Sequence, residues 1–152
     1  MFQRIITSGL AFVAIAFTPV YAEDPGSPQD LTKKLAGIWE IEEGVNQGVE
    51  LSGEELDGTT MVIKGKTIVN YDRDQNETYR ATFTLDTSTK PIQIDMIAQM
   101  KGVPPANALG ILKFDESDEF EICYALPGAD RPADFKSPVG SKIMLFECEK
   151  ED

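Results

Sequence analysis

Gly110-Ile111-Leu112-Lys113-Phe114, Asp115-Glu116-Ser117-Asp118 and Glu119-Phe120-Glu121-Ile122-Cys123-Tyr124 read together as two strands around an acidic turn. A loop with Arg131-Pro132-Ala133-Asp134-Phe135 follows. Taken as a four-residue hairpin loop, the turn sets Phe114 opposite Glu119 and Ile111 opposite Ile122. Strand side chains alternate between faces. One face then carries Leu109, Ile111, Phe120, Ile122 and Tyr124. The other carries Gly110, Leu112, Phe114, Glu119, Glu121 and Cys123. The first face holds fewer charges and is expected to point inward. A slip of one residue would reverse that assignment.

Working outward, the flanking segments repeat the strand pattern. Gly37 to Glu42 alternates, with Trp39 and Ile41 on one face. Gly44 to Gly58 is polar and glycine-bearing, and reads as a long connection. Thr60 to Lys64 and Thr67 to Tyr71 flank Gly65 as a hairpin. Glu77 to Leu85 shows clean period-two alternation, with Tyr79, Ala81, Phe83 and Leu85 on one face. Pro91 to Ala98 and Lys142 to Glu149 complete the set, and Lys101 to Asn107 is a loop. Leu31 to Ala36 suits one short helical turn. Eight strands in succession predict an all-β fold, an antiparallel meander closing into a lipocalin-like barrel. Closure removes exposed strand edges.

The start of the chain reads as a secretory signal over residues 1–22. Arg4 supplies the positive start, Ile5 to Phe17 the apolar core, and Val20-Tyr21-Ala22 the cleavage pattern. The apolar run is too short for a spanning helix. Residues 23–30 read as a flexible leader, and 31–152 as one barrel domain. The protein is expected to be exported, to the periplasm or the medium, with no membrane span after signal removal.

Formal net charge is −12, and loss of Arg4 with the signal makes it more negative. Such a field repels phosphate backbones, so nucleic acid is not an expected partner. The chain has no histidine, which removes the commonest general base and a common metal ligand. Without it no Ser-His-Asp triad forms. No metal and no cofactor are expected. Two cysteines are too few for a four-sulfur zinc site. Cys123 and Cys148 fall on opposite strand faces in this reading, which argues against a disulfide. Asp72-x-Asp74-x-Asn76 resembles the opening of a calcium loop. Glu77 and Phe83 stand where that pattern needs glycine and glutamate, so a solvated acidic turn is the preferred reading.

Gly37-Ile38-Trp39 resembles the lipocalin Gly-x-Trp signature. A wider set falls in order along the mature chain: Leu35-x-Gly37-x-Trp39, Phe83-Thr84-Leu85-Asp86, Lys90-Pro91-x-x-Ile94-Asp95, Leu109-Gly110-Ile111, Ile122-Cys123-Tyr124 and Arg131-Pro132-x-x-Phe135. Together these resemble a family of small uncharacterised secreted lipocalin-like domains known mainly from planctomycetes. The resemblance implies a lipocalin-like fold and export, and no particular activity. The chain departs from the pattern in a hairpin turn one residue longer. It also carries Cys148 and Lys150 where the family runs apolar and ends in arginine.

Four residues are candidates for binding a ligand: Trp39, Tyr124, Asp95 and Arg131. Trp39 either lines a cavity or plugs the barrel floor, and plugging is preferred because buried aromatics mostly serve packing. Asp95 and Arg131 either anchor a polar head group or pair with each other to tie the loop down. The pair is the preferred reading. Ala81 and Gly110 are small enough to leave a pocket. The 44–58 connection or the Arg131 loop is long enough to cap it. The reading is a binding module for a small hydrophobic ligand, not an enzyme. The alternative is a protein-interaction or inhibitor domain whose barrel is filled by side chains.

Overall fold

The computed structural model describes residues 26–116 and 118–152. The signal and residues 23–25 of the leader lie outside the described residues. The elements are α1 (Pro28–Leu35), β1 (Gly37–Asn46), β2 (Val49–Glu50), α2 (Gly53–Leu56), β3 (Thr60–Lys64) and β4 (Thr67–Tyr71). They continue as β5 (Glu77–Asp86), β6 (Ile92–Ala98), β7 (Ala106–Glu116), β8 (Glu119–Ala125) and β9 (Ile143–Lys150). The strands follow chain order from β3 to β9, and β1 pairs with both β3 and β9. That closes an eight-stranded antiparallel barrel, with β2 as an extra strand on the edge of β1. The expected all-β, lipocalin-like meander is the observed fold.

Register defines the two ends of the barrel. Trp39 pairs with Lys150, and Phe120 pairs with both Cys148 and Phe114. These residues mark the floor. At the other end Asn46 pairs with Met144, Met144 with Tyr124, Ala106 with Ala98, and Asn70 with Tyr79. These mark the mouth.

The floor is closed by α1. Ser27 caps the helix by accepting from the Asp30 N–H at 3.2 Å, and Pro28 opens its first turn. Leu31 and Leu35, one turn apart, are buried in the barrel core. The Leu35 carbonyl, left without a helical partner at the C-terminus, accepts from Trp39 Nε1–H at 2.8 Å. The helix thus begins within the expected leader, at Pro28, because the cap and the leucine spacing carry it there.

The expected faces hold at Trp39, Ile41, Tyr79, Phe83, Phe120, Ile122 and Tyr124, which belong to or pack on one core together with Phe146 of β9. β1 keeps its apolar face inward through a bulge between Ile41 and Glu43. The expectation fails on β7. Glu116 opposes Glu119, and a bulge at Asp115 brings Phe114 opposite Phe120 and Leu112 opposite Ile122. The turn is tighter than four residues, so the strand slips by one. Leu112 and Phe114 therefore face the core, and Ile111 faces out. Ile111 is nonetheless 2% exposed. The 126–142 loop covers that outer face: Cys123 is buried beside Ile111 and gives its thiol proton to the Lys136 carbonyl at 3.7 Å.

The 44–58 connection is also more structured than expected. β1 runs on to Asn46, and β2 pairs back onto it. Gly48, at φ +87°, leaves no room for a side chain, since a Cβ there would stand 2.4 Å from the Val139 nitrogen. α2 is fixed by a capping box between Ser52 and Glu55.

Candidate functional site

The barrel interior is filled unevenly. At the floor, Trp39 is fully buried and meets the Phe120 ring edge-on at 4.6 Å. The Phe114 ring lies tilted against Phe120 with centroids 6.1 Å apart. The Lys150 ammonium lies 5.3 Å from the Trp39 ring, and that of Lys34 lies 3.9 Å from Phe114. Gly110 adds to the filling. A Cβ there would stand 2.8 Å from the Cys123 carbonyl oxygen and 3.1 Å from an Ile94 methyl. The space expected from Gly110 is taken up by close strand approach.

At the mouth the ring packing loosens. Tyr79 and Tyr124 stack with centroids 6.2 Å apart, and Tyr124 stacks on Phe146 at 6.2 Å. Beside them opens a pocket of about 190 Å³, walled by Tyr79, Tyr124, Ala98, Ala106 and Ala108. Met100, Val103 and Pro104 from the β6–β7 loop overhang it, with Leu126 and Pro127 opposite. A cavity of about 150 Å³ takes up benzene, so this one suits a single compact ring. Its walls carry no charged side chain.

Tyr79 and Tyr124 are neutral here. Burial pushes the Tyr79 hydroxyl up to about 12. Tyr124 is pushed higher, by burial first and then by Tyr79 and Cys148. The Tyr79 hydroxyl and the Asn70 side-chain oxygen are both buried without a hydrogen-bond partner. Asn70 and Tyr79 are direct cross-strand partners.

Of the four candidates, Tyr124 alone lines this pocket. Trp39 lies at the opposite end of the barrel. Asp95 and Arg131 lie outside the barrel, joined at 2.6 Å. The Arg131 guanidinium also donates to the carbonyls of Ile94 at 3.1 Å and Gly110 at 2.8 Å. Those two residues are partners in the β6–β7 ladder. Arg131 thus clips its loop across two strands. Of the two expected lids, the 44–58 connection does not line the pocket, whereas the Arg131 loop contributes Leu126 and Pro127 at its start, and the β6–β7 loop joins it. The small residues that make room are alanines 98, 106 and 108 rather than Ala81 and Gly110. Their signal in the sequence was present: small residues on both sides of a proline-bearing loop between inward-facing strands.

Among the described residues no group of three or more acidic or sulfur ligands could hold a metal ion. Asp72 spends its carboxylate on its own turn, with Oδ1 accepting from the Asp74 and Asn76 amides at 3.0 and 2.8 Å. Those hydrogen bonds, Asn76 first, hold its carboxyl below the usual range. Cys123 and Cys148 are free and buried. Cys123 pairs with Leu145, and Cys148 pairs with Phe120 on the inner face, so their side chains diverge. Burial raises the Cys123 thiol to about 11 and the Cys148 thiol further, which keeps both protonated and unreactive. No helix among the described residues is long and apolar enough to cross a membrane. Comparison of the chain with protein-family models and with curated proteins returns no match.

Proposed function

We propose that this is an exported lipocalin-like binding module that takes one compact apolar molecule into the tyrosine-walled mouth of its barrel. The observation that carries the reading is the contrast between the two ends. The floor is packed to closure by Trp39, Phe120 and α1, whereas the mouth keeps an apolar, alanine-lined pocket. Ligand sites are typically concave and mostly apolar with a few placed polar groups. A β-barrel of eight strands has room for one small ligand.

A neutral fluorescent naphthylamine or a single-ring hydrocarbon serves as probe. Saturable one-to-one binding is expected, and Ala98→Phe, which fills the pocket, should abolish it with the circular dichroism spectrum intact. Trp39 emission should stay unchanged during the titration, because Trp39 sits at the far end. Absence of saturable binding at millimolar probe, or binding that survives Ala98→Phe, overturns the reading.

A second reading draws on the rim. Met100 and Val103 are exposed beside the pocket, and Val49 on β2 and Val139 in the 126–142 loop are exposed as well. Apolar side chains gathered at one end of a molecule favour a protein partner. In that reading the domain is an interaction or inhibitor module that seats a partner's apolar side chain in the mouth.

A further inference from the structure

We propose that Met100 is a modification site at the mouth of the barrel, where a hydroperoxide turns its thioether into a sulfoxide and so weakens the pocket's hold on an apolar ligand. The inference rests on the mouth pocket being the binding site, and adds a chemical step that controls it.

Position comes first. β6 ends at Ala98, and Met100 opens the turn that leads toward β7. The Met100 carbonyl accepts from the Val103 N–H at 3.1 Å, and Gly102, at φ +80°, supplies the left-handed residue inside that turn. Met100 and Val103 thus stand at the two ends of one tight turn, and both line the pocket.

Access singles out the same residue. Met100 is 50% exposed, whereas Met61 and Met96 are each 2% exposed. Met144 packs partly buried against the core and does not line the pocket. Cys123 and Cys148 are buried, and burial keeps both thiols protonated. Sulfur oxidation follows exposure and, for cysteine, thiolate character. Among the described residues Met100 is therefore the sulfur that a peroxide in solution reaches first.

The step balances between the two reactants. A sulfur lone pair attacks one peroxide oxygen, the O–O bond breaks and an S–O bond forms. The transferred oxygen gives its proton to the leaving oxygen, which departs as water from hydrogen peroxide or as an alcohol from an alkyl hydroperoxide. Sulfur is oxidised by two electrons and the peroxide is reduced by two. A thioether has no proton to lose, so the step asks for no general base.

The consequence follows from where the new oxygen stands. Oxidation turns a flexible apolar side chain into a polar, chiral one. The side chains around Met100 at the pocket include Ala98, Val103, Pro104 and Ala106, which are apolar. A ligand seated against the sulfoxide must strip water from its oxygen, and burying a polar group without a hydrogen bond is costly. A ligand held away from it loses the dispersion contacts of the methionine. Affinity falls either way, and reduction of the sulfoxide restores it.

The test uses the full mature chain, the neutral fluorescent naphthylamine as probe, and hydrogen peroxide as oxidant. Peptide mass mapping should find the first added oxygen on Met100. The treated protein should bind the probe at least about fivefold more weakly, with its circular dichroism spectrum unchanged. Methionine sulfoxide reductases should reverse the loss. Met100→Leu should make binding insensitive to peroxide, Met144→Leu should leave the response in place, and Met100→Gln should weaken binding with no peroxide added. First oxidation at another sulfur overturns the inference, as does unchanged affinity once Met100 carries its oxygen. A loss that persists in Met100→Leu, or that comes with a changed circular dichroism spectrum, overturns it too, by placing the effect elsewhere in the fold. In each of those cases the untreated protein still binds and the pocket reading stands. Failure of the untreated protein to bind the probe removes that reading, and this one with it.

Discussion

Arg131 shows how much of a residue's role depends on what its partner is exposed to. Its ion pair with Asp95 is short, at 2.6 Å, yet the Asp95 side chain is 58% exposed and that of Arg131 21%. A solvent-exposed pair is worth about 0–1 kcal/mol. The bonds to the Ile94 and Gly110 carbonyls are different, because they cross the β6–β7 ladder under the loop. Hydrogen bonds involving a charged group contribute about 1.5–3 kcal/mol. Arg131→Ala should therefore lower stability by about 1–3 kcal/mol in urea titrations, and Asp95→Asn by less than about 1 kcal/mol. Equal losses from the two variants would move the weight back to the ion pair. The Asp95–Arg131 partnership was legible from residue type and position. The carbonyl clip was not, because main-chain acceptors leave no trace in a sequence.

At the scale of elements, strands were legible and registers were not. The alternation of Glu77 to Leu85 fixes which side chains of β5 face the core, since polar and apolar residues separate cleanly there. On β7 both faces are apolar, because the barrel buries one and the 126–142 loop buries the other. Hydrophobicity could not choose between Ile111 and Leu112, and the choice fell to a bulge at Asp115 that no residue type announces. The pocket was hidden for a related reason: its walls come from four separate strands, and only the fold brings them together. The outer face of β1, β9 and β8 carries a testable charge ladder, in which Glu147 on β9 opposes Glu43 on β1 and Glu121 on β8. Glu121 is compensated by Lys113 at 2.7 Å, whereas among the described residues Glu147 forms no ion pair of its own. Burial, then Glu43 and Glu121, hold the Glu147 carboxyl above its ordinary value of 4.5. A carboxyl raised on folding binds its proton more tightly in the folded state. Its contribution is full below the unfolded value and is lost as pH rises through the folded one. Glu147→Gln should thus stabilise the barrel at neutral pH by about 0.2–1 kcal/mol, the range for opposed like charges. The gain should vanish below about pH 4. A gain independent of pH would assign the effect to packing instead.

The whole molecule is one closed wall around a continuous core that runs from Leu31 and Leu35 on α1 to Tyr124 and Phe146 near the mouth. Closure depends on the pairing of the first barrel strand with the last, β1 with β9, so no strand can leave without opening the seam. The floor is tied into that wall by the bond from Trp39 to the Leu35 carbonyl and by Lys150 over the same ring. Trp39 is the single tryptophan and reports on the floor, while far-ultraviolet circular dichroism reports on the sheet. In a two-state domain the two probes trace one transition. Their urea midpoints should coincide, with a slope of about 1–3 kcal/mol per molar. A Trp39 transition at lower urea would mean that α1 leaves before the barrel opens, and that the floor is a removable plug. Coincidence would make the floor part of the cooperative unit. The polarity of the molecule would then be fixed: one end closed as a condition of folding, the other free to carry a pocket without weakening the fold.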